Sequence, residues 1–290
     1  MPELPEVETI RRQLAPQLEG RVIESAEILD PRWSRPLAPS LLERELEAAR
    51  VERVGRRGKY LVWSLSGDRY LLMHLRMTGT LLFDPDVEPI HTRVRFRLDS
   101  GHLLAYVDPR RFGTGQLLHG AAARDAFLGA RLGAEPFSDA FTTEYLRQAA
   151  RGRLAPVKAF LLDQRRVAGV GNIYADEALF RAKVHPLRAA GQLRTGDWAR
   201  LREGVEAALA AGIEAKGASI DDFRHPDGAR GSFQDRFLVH RREGEPCPTC
   251  GQEIVKVVVG GRGTYVCERC QPRPRRRRTT RRTPTGARGR

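Results

Sequence analysis

Met1-Pro2-Glu3-Leu4-Pro5-Glu6-Val7-Glu8-Thr9 opens the chain and admits two readings. The first is structural. Pro and Glu suit the first turn of a helix, where carboxylates face the positive end of the macrodipole. Val7, Ile10, Leu14 and Leu18 carry an apolar stripe onward along that helix. The second reading is chemical. With Met1 removed, the nitrogen of Pro2 becomes a free secondary amine; with Met1 attached it is a tertiary amide without nucleophilicity. An α-amine titrates near ~8 against ~10.4 for lysine, so far more of it is neutral at working pH. A neutral amine adds to an aldehyde carbon and gives a cationic iminium, an effective electron sink. Glu3 and Glu6 stand beside it in the chain and can pass protons.

The bulk properties favour a polyanionic partner. The chain has 290 residues, enough for two cores and an appendage, and carries 50 Lys+Arg against 36 Asp+Glu, a net charge of +14. Residues 271–290 hold nine arginines and no acid, which leaves +5 for the remainder. No apolar run reaches 18 residues and no secretory apolar segment follows Met1, so neither a membrane span nor export is expected. All four cysteines fall between positions 247 and 270, a clustering that suits a metal site in a reducing compartment.

Beyond the first helix, residues 21–29 and 46–54 read as strands. Residues 59–65 and 70–75 form a β-hairpin around a Ser-Gly-Asp turn, and Val94, Phe96 and Leu98 alternate with Arg93, Arg95 and Arg97 in a half-buried strand. Another strand follows at 103–107. This predicts an antiparallel sandwich capped by the first helix. From about residue 121 the period becomes helical, with a linker at 132–140 and helices at 142–151, 156–163, 172–183 and 197–216, the last begun by Asp197 as N-cap and ended by Gly217. The stretch 217–234 reads as loop. Residues 272–290 have nothing to bury and read as a disordered basic tail.

Four constellations carry chemistry. Cys247-x2-Cys250-x16-Cys267-x2-Cys270 is the spacing of two thiolate knuckles around one tetrahedral Zn²⁺, a closed and therefore structural site. Between them, Val255–Val259 and Thr264–Val266 flank Gly260-Gly261-Arg262-Gly263, a hairpin with one cation at its tip that suits a phosphate contact. Val167-Ala168-Gly169-Val170-Gly171-Asn172 reads as a Gly-rich turn entering a helix whose backbone N–H groups, with Asn172, suit a phosphate. Asp108-Pro109-Arg110-Arg111-Phe112-Gly113 puts two cations and an aromatic in one loop. It reads either as a solvated turn with a core phenylalanine or, together with Met77, as a wedge that fills the gap left by a flipped base. The wedge requires two distant loops to meet. Last, Lys59, in Arg56-Arg57-Gly58-Lys59-Tyr60, reads as a surface charge or as an acid or base directed at Pro2.

These strings occur together across residues 1–271, in an order that resembles the formamidopyrimidine-DNA glycosylase and endonuclease VIII family. The resemblance implies an α+β multidomain fold: a helix-capped antiparallel β-sandwich at 1–131, a helix–two-turn–helix domain with a lesion-capping loop at 132–240, a zinc ribbon at 241–271 and the tail at 272–290. It implies Pro2 as Schiff-base nucleophile, Glu3 as general acid, Lys59 as proton donor in β-elimination and Arg262 at the phosphate in δ-elimination. It further implies Met77, Arg110 and Phe112 as the void-filling set, phosphate contacts from His74, His91, Arg153, Lys158 and Asn172, and one Zn²⁺.

The expected partner is double-stranded DNA with oxidised bases or abasic sites. The expected protein is a monomer in a bacterial cytoplasm, at the nucleoid. The preferred activity is a bifunctional glycosylase/AP lyase for oxidised purines. The alternatives are an endonuclease VIII-like enzyme for oxidised pyrimidines and a binder of damaged DNA without catalysis. The chain departs from the family's pattern in three places: Arg76 replaces a usual Gly, Asp221 a usual basic residue, and His240-Arg241 a usual Tyr-Gly.

Overall fold

A computed structural model describes residues 1–220 and 224–274. Asp221 and nearly all of the arginine tail lie outside the described residues. Helix α1 (Leu4–Leu18) follows Glu3, whose N–H donates to Glu6 Oε2 at 2.8 Å, as a capping carboxylate does. Its apolar side divides between two cores. Val7, Ile10, Leu14 and Leu18 enter the first, whereas Leu4 belongs to the second.

The first core fills a β-sandwich. Strands β1 (Val22–Ile28), β2 (Ala49–Arg57), β3 (Tyr60–Leu65), β4 (Arg69–His74), β5 (Thr80–Phe83), β6 (Thr92–Leu98), β7 (Leu103–Val107) and β8 (Thr114–His119) run in the spatial order β5-β7-β6-β1-β2-β3-β4-β8, with every neighbouring pair antiparallel. Only Val22 and Ile23 pair with β2, so the sheet bends there and its halves face each other. Trp63 of β3 packs against Phe96 of β6 across that interior, ring centres 5.2 Å apart. The alternation of β6 is as the sequence dictates: Val94, Phe96 and Leu98 are fully buried and the arginines turn outward.

The sequence reading misses helix α2 (Pro39–Leu46), which packs on β1 through Leu42 and Leu46, a four-residue repeat too short to stand out as a period. It also starts β2 three residues early.

After α3 (Ala121–Gly129), a helical domain comprises α4 (Thr143–Ala149), α5 (Val157–Leu162), α6 (Asn172–Arg181) and α7 (Thr195–Glu214) around Trp198, Tyr174 and Phe141. Asp197 is not the N-cap of α7. It sits in the first turn and accepts the N–H of Arg194 at 3.0 Å, the reach-back of a capping box, because the helix begins two residues earlier than expected. Strands β9 (Val255–Val259) and β10 (Arg262–Val266) form the ribbon hairpin on a two-residue turn, Gly260-Gly261, with φ of +56° and +72°. Arg262 is therefore the first residue of β10, paired with Val259, rather than the tip.

Candidate active site

A cleft of about 170 Å³ opens where the three modules meet. Met1, Lys59, His74, Arg76, Asn172 and Arg262 are on its wall, with Pro2 buried behind Met1. Glu3, only 2% exposed, packs behind the wall residue Gly171. Its carboxylate accepts N–H groups from Gly171 (2.7 Å), Ile173 (3.0 Å) and Tyr174 (3.4 Å), the open donors at the start of α6. Leu4 N donates to Gly169 O at 3.0 Å, so the start of α1 lies along the Gly-rich turn. This revises the expectation for that turn: the helix start that suits a phosphate is filled by the protein's own carboxylate. The glycines are there for close approach. A Cβ at Gly169 would stand 2.6 Å from Leu4 Cδ1.

Glu6 lies one helical turn below. It accepts Ala218 N at 2.7 Å and the Tyr174 hydroxyl at 2.8 Å. Burial, and then the charge of Glu3, hold its carboxyl above the usual range.

Lys59 occupies the two-residue turn between β2 and β3 and is 4% exposed. Burial is the main cause that depresses its ammonium below the ordinary lysine range. Arg262 pushes the same way, and Glu3 and Glu6 oppose. Such a lysine takes up and releases a proton nearer neutrality. His74 ends β4 with its ring edge-on to Tyr60. Its Nδ1 accepts the N–H of Arg76 at 3.0 Å, so the neutral ring carries its proton on Nε2. Burial, then the charges of Arg76 and Lys59, lowers it to about 3. His74 is thus a neutral donor on the cleft wall.

Arg262 reaches the cleft because β10 docks on the helical domain. Asn172 Nδ2 donates to Gly263 O at 3.0 Å, and Lys158 Nζ bonds Asp176 Oδ1 (2.7 Å), Thr264 Oγ1 (2.7 Å) and Gly263 O (3.1 Å). Lys158 is 0% exposed and all three of its ammonium hydrogens are taken, so the expected phosphate contact fails. It fastens the ribbon instead. Asp176 continues the network through Oδ2 to His240 Nδ1 at 2.8 Å, where the departure from the family's usual tyrosine supplies a polar ring.

The two wedge loops do meet. The Thr78 hydroxyl donates to Asp108 Oδ1 at 2.5 Å, and Asp108 Oδ2 accepts Gly113 N at 2.8 Å. Asp108 N donates to His91 O at 3.1 Å, so exposed His91 stands beside the same loop and not in the cleft. Phe112 is 52% exposed, which removes the core reading, and the Arg110 guanidinium lies 4.8 Å from its ring centre. Met77 directly follows the cleft residue Arg76. Arg76 (φ +55°) and Arg241 (φ +60°), both at positions of usual glycine, keep the left-handed backbone that glycine takes without cost. Arg153, half-buried, donates through Nε to Ala149 O at 2.8 Å near the end of α4, away from the cleft.

Two residues that matter escaped sequence reading. Glu135 binds the turn that carries Lys59, and Gln164 staples the Gly-rich loop by accepting Gly169 N (2.9 Å) and donating to Val170 O (2.8 Å). Neither stands in a recognisable local pattern.

The Sγ atoms of Cys247, Cys250, Cys267 and Cys270 all lie within 4.8 Å of one another, with Cys250–Cys267 at 3.4 Å and Cys247–Cys270 at 3.8 Å. Thiolates at Zn–S distances of about 2.3 Å in a tetrahedron stand roughly 3.8 Å apart, so the set fits one structural zinc.

A β-sandwich, a helical module and a four-cysteine ribbon surround one basic cleft, and the comparisons identify the family. Family models match in chain order: the formamidopyrimidine-DNA glycosylase N-terminal domain at residues 1–115, the formamidopyrimidine-DNA glycosylase H2TH domain at 132–224, and a zinc finger found in FPG and IleRS at 244–273. The chain is 46% identical over 277 residues to a formamidopyrimidine-DNA glycosylase of Symbiobacterium thermophilum, covering 94% of this chain and 90% of that one. It is 44% identical over 276 residues to one of Roseiflexus, covering 93% and 100%. Its fold matches the crystal structure of the MutM (Fpg) protein from Thermus thermophilus with a TM-score of 0.84 at 42% identity, covering 93% and 98%. It matches the Lactococcus lactis Fpg in complex with abasic-site DNA with a TM-score of 0.87 at 35% identity, covering 93% and 100%. The chain belongs to the formamidopyrimidine-DNA glycosylase family. Among the described residues no helix is long and apolar enough to cross a membrane.

Proposed function

We propose that this DNA glycosylase/AP lyase of base excision repair removes oxidised purines, 8-oxoguanine and formamidopyrimidines, with Pro2 as nucleophile. The burial of the Pro2–Glu3 segment at the back of a cationic cleft, beside a lysine held below its usual range, carries the reading. Met1 must be removed first. The Pro2 nitrogen then attacks C1′ of a flipped nucleotide, the C1′–N bond to the base breaks, and the base leaves with its electron pair and a proton passed by Glu3. The C1′–O4′ bond then breaks, O4′ taking the proton lost from the Pro2 nitrogen, and the sugar opens to the iminium. The resulting iminium acidifies the C2′ hydrogen. Loss of that proton sends its electron pair toward the iminium and expels the 3′ phosphate. Lys59 is the proton-transfer group of this elimination. Loss of the C4′ proton then expels the 5′ phosphate, which Arg262 holds, and hydrolysis returns the amine.

His74 Nε2–H and Asn172 bind phosphate on the cleft wall, and Met77, Arg110 and Phe112 fill the void in the duplex. His91 and Arg153 contact backbone phosphate outside the cleft. In this reading the enzyme acts as a monomer in the cytoplasm, at the nucleoid. One observation favours a second substrate class: the Lactococcus lactis Fpg, a neighbour at a TM-score of 0.86 and 35% identity, has been solved with DNA containing an oxidised pyrimidine.

Borohydride trapping on an 8-oxoguanine:cytosine duplex, with mass spectrometry of the linked peptide, tests the proposal. A crosslink at Pro2 supports it. No crosslink to purine or pyrimidine lesions, from protein that has lost Met1 and binds the duplex, favours the binding-only alternative.

A further inference from the structure

The turn that carries Lys59 is gripped at both polar atoms of one residue. The N–H of Gly58 donates to Glu135 Oε2 at 2.8 Å, and its carbonyl accepts Arg56 Nη1 at 2.9 Å. That same Arg56 nitrogen pairs with Glu135, while Arg56 Nε reaches Glu8 Oε2 on α1 at 3.0 Å. Arg57 closes the other side of Glu135 and donates through Nη2 to Gly133 O at 2.7 Å. Gly58 has φ +56°, and its open side faces Leu132 at 3.3 Å, so the turn has little freedom to relax. Lys59 itself makes no side-chain hydrogen bond among the described residues. Its place is therefore set through the backbone. Glu135 lies in the segment that joins sandwich to helical domain, and Glu8 lies on the helix that begins beside Pro2.

We propose that Glu135, with Arg56, is the positioning residue for Lys59, setting the height of its ammonium in the cleft and tying it to Pro2 and to the interdomain segment. This rests on the reading of Lys59 as the proton-transfer group. The groups that face Lys59 are Glu3, the N-cap of α1, Glu6 on α1, His74 at the end of β4 and Arg262 at the start of β10, and none is altered by a change at Glu135.

The test uses full-length protein and a preformed abasic duplex. In Glu135→Gln, β-elimination should slow by about tenfold with KM changed less than about twofold, since small displacements of a reacting group cost rate rather than binding. The borohydride-trapped yield should persist. The pH midpoint of elimination should rise toward the ordinary lysine range as water reaches the loosened turn. Arg56→Lys, which keeps the charge and loses the fork, should move the same quantities the same way and carries the test if Glu135→Gln fails to fold. An unchanged rate and pH profile in these variants would overturn the proposal. So would a parallel fall of trapping and elimination with no profile shift, the mark of a merely structural residue. Lys59→Ala separates the two levels: elimination left intact by that change removes the reading of Lys59 itself.

Discussion

The carboxylate of Glu3 occupies the space that a side chain at Gly171 would need: a Cβ built at 171 stands 2.3 Å from Glu3 Cδ. The N-terminal segment and the start of α6 therefore have to be read together. The helix start gives its free N–H groups to Glu3, and Glu3 in turn holds the residue next to it, Pro2, at the back of the cleft.

Gly171→Ala should accordingly push Glu3 off the helix and lower the borohydride-trapped yield on abasic DNA by about tenfold or more, since misplaced reacting groups lose rate steeply. Gly152→Ala is the control. Gly152, unlike the extended Gly171, is left-handed at φ +73° but has nothing within 4 Å, so only about 1 kcal/mol of backbone strain is expected and trapping should hold. Equal yields from the two variants would contradict the packing argument.

The Thr78–Asp108 hydrogen bond joins the two loops that carry Met77 and Arg110–Phe112. Thr78→Val should reduce excision from an 8-oxoguanine:cytosine duplex by about tenfold, the worth of one hydrogen bond to a charged acceptor. Cleavage of a single-stranded abasic oligonucleotide, which has no stack to wedge open, should change little. Equal losses on both substrates would mean the loops do not act on the duplex.

His74, lowered to about 3 by burial and neighbouring cations, is neutral across the working range. Its unfolded value is near 6.5, so between these limits the unfolded chain binds more protons than the folded one. Stability from this group is complete above pH 6.5 and is lost as pH falls toward 3. His74→Gln should flatten that acid limb in melting temperatures measured from pH 7 to pH 4; an undiminished slope would place His74 in solvent.

Cys267→Ser should release zinc, read with a chromogenic chelator, and should weaken binding to an abasic-analogue duplex, because the ribbon presents Arg262 and is fastened through Lys158, Asn172 and Thr264. Zinc release with unchanged binding would separate the ribbon from DNA.

Removing residues 272–290, nine of them arginine, should flatten the dependence of log binding on log salt if the tail neutralises phosphates. An unchanged slope would show that it does not touch DNA.

The sequence by itself determined the parts whose physics is local. The zinc site follows from ligand spacing within one short module, the change from strand to helical period near residue 121 marks the two cores, and the amine chemistry of Pro2 needs only its position behind Met1. Tertiary structure decided everything that depends on residues far apart in the chain. Lys158, for which the resemblance implied a phosphate contact, is buried among Asp176, Gly263 and Thr264; the Gly-rich turn looked like a phosphate cradle and is filled by Glu3. Glu135 carries no motif, because its partner Gly58 is 77 residues away. Side-chain type and period report a residue's near neighbours. The donors left open at a helix end, or the charges a buried lysine meets, are set only when distant segments pack together.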